Sequence, residues 1–227
     1  MAKAHPSRSS FRPPNPLSQL LRRCVIYSLY LSALFPASAW SQWTEDGRES
    51  GCVRYRGPRR GQVVPMRAVC TWAISPAALR SVMSRPQHYD RCFSRVERSE
   101  LISSSSGKNT AAEGMLRVYQ VHNASPASDR AVYLDYREER LRRGWRLSFR
   151  KSPPGQVTPI NDFVEVRQNQ GYWHIEPHRR GARVIFEGAY DPGGSVPSFL
   201  VRWFLSGGVQ KMMDELLACA RRAQRAR

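Results

Sequence analysis

Through the middle of the chain, apolar side chains recur at every second position. In RAVYLDY, Val132, Leu134 and Tyr136 alternate with Ala131, Tyr133 and Asp135; in GWRLSF, Trp145, Leu147 and Phe149 alternate with Arg146 and Ser148. A period of two gives each segment one buried and one wet face, as strands have in an antiparallel sheet. Segments of this kind follow one another as ERSELISSSS, EGMLRVYQVHN, RAVYLDYREE, GWRLSFRKS, FVEVRQNQG, GYWHIEP and ARVIFEGAY. Turn-forming residues separate them at 103–108, 142–144 and 178–181.

Near the C-terminus the spacing changes to three and four. Phe199, Leu200, Trp203, Phe204, Val209, Met213, Leu216, Leu217 and Ala220 make one broad apolar stripe on a helix that Pro197 starts. Asp191 to Gly194 turns the last strand back into it. Such a helix needs an apolar partner, and the concave face of the sheet is the one the sequence offers. Gly207 and Gly208 fall inside it at about 1 kcal/mol each relative to Ala, which suits either a hinge or a close approach of helix to sheet.

Upstream, CVRYRGPRRGQVVPMRAVC reads as two strands around a Gly-Pro-Arg-Arg-Gly turn. Ser75 and Pro76 then mark the start of a helix that stops before Pro86. WSQWTEDGRESG, at 40–51, is polar and is expected to be helical. The segment from Lys151 to Asp162, KSPPGQVTPIND, is a proline-stiffened surface loop, either a binding loop or a plain crossing between strands.

Charge and cysteines add a compartment. The first 39 residues hold no acid, carry Lys3, Arg8, Arg12, Arg22 and Arg23, and contain the 12-residue apolar run Cys24 to Phe35. That run is too short to span about 30 Å of hydrocarbon but suits an export signal, with cleavage expected after Ala39; an uncleaved anchor is the competing reading. Without this segment the chain keeps 31 basic residues against 18 acidic ones, a net charge of +13. Cys52, Cys70, Cys92 and Cys219 remain as an even set, and disulfides persist outside the reducing cytoplasm. Four cysteines permit three connectivities. The hairpin favours Cys52 with Cys70, elimination leaves Cys92 with Cys219, and buried free thiols are the plain alternative. A periplasmic or secreted location follows.

The chemistry of a nucleophile elbow or a phosphate loop is missing from the sequence. His174 and His178 are split by Pro177 on a strand, where four-residue spacing does not align ligands. No metal and no cofactor are expected.

SPASDRAVYL (125–134), PPGQVTPINDFVEVR (153–167), GYWHIEPHRRGARVIFEGAYDPGGSVP (171–197) and the terminal helix, in that order, resemble the StAR-related lipid-transfer (START) family of the helix-grip, Bet v 1-like superfamily. The likeness spans most of residues 43 to 225 and suggests an exported bacterial member. It implies an α+β fold, with a curved antiparallel sheet wrapped around a long C-terminal helix, and a tunnel for a lipid between them. Residues 1–39 would be the signal and 40–227 the lipid-binding domain. Arg130 matches the family's cavity arginine, although Ala131 replaces the usual Asp and only Glu113 lies near the position of its acidic partner. A surface arginine in a turn is the plain alternative for Arg130.

The expected function is therefore noncatalytic binding, and transfer, of a hydrophobic molecule. Its ligand-binding residues would be Arg130, Val132, Leu134, Trp145, Trp173, Phe186, Tyr190, Phe199, Trp203 and Phe204. Expected partners are the ligand and, transiently, an anionic membrane surface, with no nucleic acid and a monomeric chain. Two alternatives stand beside it: a helix-grip enzyme of cyclase or hydrolase type acting on a hydrophobic substrate, and an envelope interaction protein whose tunnel is filled by side chains.

Overall fold

The computed structural model describes residues 43–59, 61, 63–105, 114–153, 163–194 and 198–226, apart from the side chains of 64, 105 and 198–206. The expected signal segment, Glu113, most of the proline-rich loop, and the side chains of Phe199, Trp203 and Phe204 lie outside the described residues.

The strands are β1 (Thr44–Glu49), β2 (Cys52–Arg56), β3 (Val64–Trp72), β4 (Val96–Ser105), β5 (Met115–His122), β6 (Arg130–Arg140), β7 (Trp145–Lys151), β8 (Val164–Glu165), β9 (Gln168–His178) and β10 (Gly181–Asp191). They form one sheet in the order β1-β2-β3-β10-β9-β7-β6-β5-β4, with the short β8 parallel to β6. Helix α1 (Pro76–Met83) and a 3-10 helix (Pro86–Arg91) follow β3, and α2 (Ser198–Arg225) closes the chain. Ser75 caps α1 by accepting from the Ala78 N–H at 3.1 Å, and Pro76 opens it.

Antiparallel registers give the sheet two distinct ends. The turns at 141–144 and 178–181 lie at one, the hairpin end. Residues 123–129, 166–167 and 192–194 lie at the other, the loop end. Helix α2 begins at the loop end and finishes near α1, where the Ser75 N–H donates to Gln224 Oε1 at 3.1 Å.

The hairpin end is solid. Leu79 and Met83 of α1, Leu147 and Ile175 of the sheet, and Leu216 and Ala220 of α2 are fully or almost fully buried in one cluster. Close packing of this kind is what the period-two and period-three patterns require of both surfaces. Cys52 and Cys70 are opposite residues of the β2–β3 ladder and form one disulfide; Cys92 and Cys219 form the other.

Three expectations need correction. Residues 44–49 are an edge strand, not a helix: they pair with β2 and bury neither face, so no alternation marks them. Ala131, Tyr133 and Asp135 are not a wet face, since all are buried. Ala131 and Tyr133 join Tyr119 and Val121 in a second small cluster on which Phe163 packs, and Asp135 receives Arg117 at 2.7 and 3.2 Å. Finally, the interruption expected near Gly171 falls at 166–167, so 168–178 runs as one strand.

Candidate ligand cavity

Toward the loop end, sheet and helix part and leave a cavity of about 240 Å³. Two facing glycines help to make its floor. Gly171 and Gly188 are partners in the β9–β10 ladder, and a Cβ on Gly188 would come within 2.7 Å of the Phe186 ring. A Cβ on Gly171 would meet Phe149 at 2.9 Å. Both rings occupy space that a larger residue would take, stacked with centroids 6.4 Å apart and planes 10° from parallel. Trp173 continues the surface, 4.6 Å from Phe186, and Leu134, Met66 and Met212 complete the apolar wall.

One polar strip interrupts it. Gln120, His122 and Arg130 share the inner face, with His122 opposite Arg130 in the β5–β6 ladder. The strip is organised by hydrogen-bond direction. Ser99 donates its hydroxyl to the Pro86 carbonyl at 2.6 Å, so it accepts from Gln120 Nε2 at 3.0 Å. That leaves Gln120 Oε1 as the acceptor facing His122 Nε2 at 3.2 Å. His122 thus donates from Nε2, and its Nδ1 is free to accept from the Tyr190 hydroxyl at 3.4 Å. Burial holds His122 down to a pKa of about 4, which keeps the imidazole neutral. Burial also raises the Tyr190 hydroxyl, with Arg130 working against the rise and Asp191 adding to it.

Arg130 is the charged member. It is only 3% exposed, and it donates from Nη1 to the Ser128 carbonyl. Its Nε has no hydrogen-bond partner, and no carboxylate among the described residues forms an ion pair with it. Asp191, the nearest acid in sequence to Tyr190, is turned to Arg167 at 3.6 Å and to the Gly193 N–H at 2.9 Å. A buried cation without a counter-charge is expensive. Arg130 is therefore not the surface residue of the plain alternative, and it forms no ion pair among the described residues.

Of the residues expected at the site, Arg130, Leu134, Trp173, Phe186 and Tyr190 stand on the cavity wall. Val132 and Trp145 do not. Val132 shares the inner face with Arg130 but is wholly enclosed in the core, and Trp145 lies at the hairpin end with Arg80 above its ring at 5.9 Å. Phe199, Trp203 and Phe204 fall outside the described side chains. Gln120, His122, Tyr136 and Phe149 also line the cavity, beyond the residues expected from the sequence. The signal for the first two was present in MLRVYQVH, where Gln120 and His122 continue the apolar face of Leu116 and Val118.

No protein-family model matches the chain, and no curated protein matches it by sequence. Solved structures do. A STAR-related lipid transfer protein from Xanthomonas axonopodis superposes with a TM-score of 0.68 at 18% identity, covering 79% of this chain and 99% of that one. Human StAR-related lipid transfer protein 5 gives 0.67 at 12% identity, covering 91% and 97%. Human STARD10 gives 0.66 at 14% identity, covering 96% and 86%. The chain thus has the helix-grip α+β fold of the StAR-related lipid-transfer domains, with its cavity between the curved sheet and the C-terminal helix.

Proposed function

We propose that this protein binds, and carries between sites, a single hydrophobic molecule with a polar or anionic head. The observation that carries the reading is the pairing of an aromatic cavity with one buried guanidinium that has no carboxylate partner among the described residues. The apolar wall would take the tail, and burying its area drives binding at about 25 cal/mol per Å² before the costs of ordering and opening. Arg130, with Tyr190 beside it, would take the head; Leu134, Trp173 and Phe186 would line the tail. A cavity of about 240 Å³ favours one chain or ring system over a two-chain phospholipid. The fold is that of lipid-transfer domains, and the two disulfides fit a protein exported by residues 1–39 to the periplasm or beyond. Residues 40–227 would be the working domain, acting as a monomer that meets anionic membranes transiently.

Native mass spectrometry of protein from its own host, followed by organic extraction, tests this. A co-purifying amphiphile is expected. A ligand-free protein that takes up no fluorescent fatty acid or lipid would overturn it.

One observation favours a second reading, an enzyme on the same scaffold: His122 stands opposite Arg130 with Tyr190 in reach. Turnover of an extracted ligand that is lost in His122→Phe would establish that reading, whereas unchanged recovery of the ligand supports carriage.

A further inference from the structure

Arginines from three distant parts of the chain come together at the hairpin end. The β6–β7 turn carries Arg142 and Arg143, and the β9–β10 turn carries Arg179 and Arg180. The last turns of α2 carry Arg221, Arg222 and Arg225. All are exposed, and none is in an ion pair among the described residues.

Their proximity follows from register and backbone contact. Strands β7 and β9 are neighbours, and His174 Nε2 lies 3.0 Å from the Arg143 carbonyl, tying one turn to the other strand. A Cβ on Gly181 would meet the Ile74 nitrogen at 2.7 Å, so the second turn abuts the residue before Ser75. Ser75 in turn holds Gln224 of α2. Local acids offset little of this charge, because Glu138 is paired with Arg80 and Glu176 with Arg183. Glu139 and, beside the β1–β2 turn at the same end, Glu49 remain as exposed carboxylates.

The cavity is at the other end. Strand β9 carries Asn169 and Trp173 on the cavity wall and reaches the turn at His178. At about 3.3 Å per residue the turn is roughly 16 to 30 Å from that wall.

We propose that the hairpin end is a docking surface for an anionic phospholipid bilayer, one that holds the protein with its cavity turned away from that bilayer. Guanidinium forks match phosphate oxygens in pairs, which a row of lysines does not. Two hairpin tips and a helix end present a broad face instead of a groove. Among the described residues, Leu101 of β4 is the exposed large apolar side chain, so attachment is electrostatic, without insertion. Single-stranded nucleic acid needs exposed rings on which bases stack, and no aromatic side chain is exposed among the described residues. Held in this way, the protein exchanges its ligand with whatever faces it across the gap, and not with the surface to which it is bound.

The test is flotation with phosphatidylcholine vesicles, with and without about a third phosphatidylglycerol, using protein purified from its host. The tip variant Arg142→Glu, Arg143→Glu, Arg179→Glu, Arg180→Glu should bind the anionic vesicles at least roughly 100-fold more weakly. A control with the same change in net charge, Arg59→Glu, Arg85→Glu, Arg91→Glu, Arg150→Glu, should lose less than about 10-fold, because its charges lie elsewhere. Uptake of a fluorescent fatty acid should be unchanged in both, so failure of the carrier reading and failure of this one are separate results. Equal losses in the two variants, or none in the tip variant, would overturn the proposal. So would a tip-dependent affinity for a 20-base-pair duplex above that for the vesicles, which would make nucleic acid the partner. Orientation is read by a solvatochromic probe: at Ser125→Cys, by the cavity, it should stay in water, and a blue shift there on vesicle binding would overturn the outward-facing pose.

Discussion

His122 lies directly across the β5–β6 ladder from Arg130, so a neutral imidazole and a buried guanidinium share one cavity wall. The imidazole answers the low polarity of that wall by giving up its proton.

His122 makes stability depend on pH. Its folded pKa of about 4 lies below the ordinary value of 6.5, so the unfolded chain binds the proton more readily. The contribution is intact above pH 6.5 and is lost as pH falls toward 4, by about 3 kcal/mol at most. Urea unfolding of the protein and of His122→Phe at pH 7.5 and 4.5 should show the pH difference shrinking in the variant. An equal difference in both would assign the acid sensitivity to groups other than His122.

Arg130→Met should separate stability from binding. Removing a buried charge that has no carboxylate partner among the described residues ought to leave thermal stability equal or raised, by up to about 2 kcal/mol. Displacement of a fluorescent fatty acid should nevertheless become at least 10-fold easier, while a neutral sterol analogue is little affected. Loss of stability together with both ligands would show that the guanidinium is structural.

The disulfides should differ in strength. Cys92–Cys219 closes 127 residues of chain and ties the segment before β4 to α2, whereas Cys52–Cys70 closes 18 residues within a hairpin. The loop-entropy relation gives about 5 and about 3 kcal/mol respectively. Cys92→Ser with Cys219→Ser should therefore lower Tm more than the hairpin pair does, and should speed ligand release because α2 is no longer held.

Gly207 and Gly208 lie within a continuous helix, and a Cβ on either would meet nothing within 4 Å. Close approach to the sheet is thereby removed as their reason, which leaves backbone freedom beside the cavity wall that Gly208 helps to form. Replacing both with Ala should add up to about 1 kcal/mol each and slow ligand exchange. Faster or unchanged exchange would end the hinge reading.

Periodicity shows which side chains share a face: Val132, Leu134 and Tyr136 are inner-facing, as their alternation in RAVYLDY suggests. It does not say where along the face helix and sheet separate. Leu134 borders the cavity while Val132, one pleat away, is enclosed, and Trp145 is covered because α1 packs at the hairpin end. Those outcomes depend on a helix lying across the sheet, a contact between distant segments. The edge strand β1 left no pattern because it buries nothing. The outer face of β6 misled for the opposite reason, since Phe163 arrives from thirty residues downstream to cover Ala131 and Tyr133.

A body that is packed at one end and hollow at the other has unequal local stability. Opening the hollow end requires parting α2 around Gly208 and Met212 from the facing strands, while the packed end and the Cys92–Cys219 tie stay in place. Hydrogen exchange would accordingly divide into a slow class around Leu147, Ile175 and Leu216 and a fast class around His122 and Tyr190. Cargo turnover and survival of the fold are then set by different sets of residues, so either can be altered by mutation without the other following.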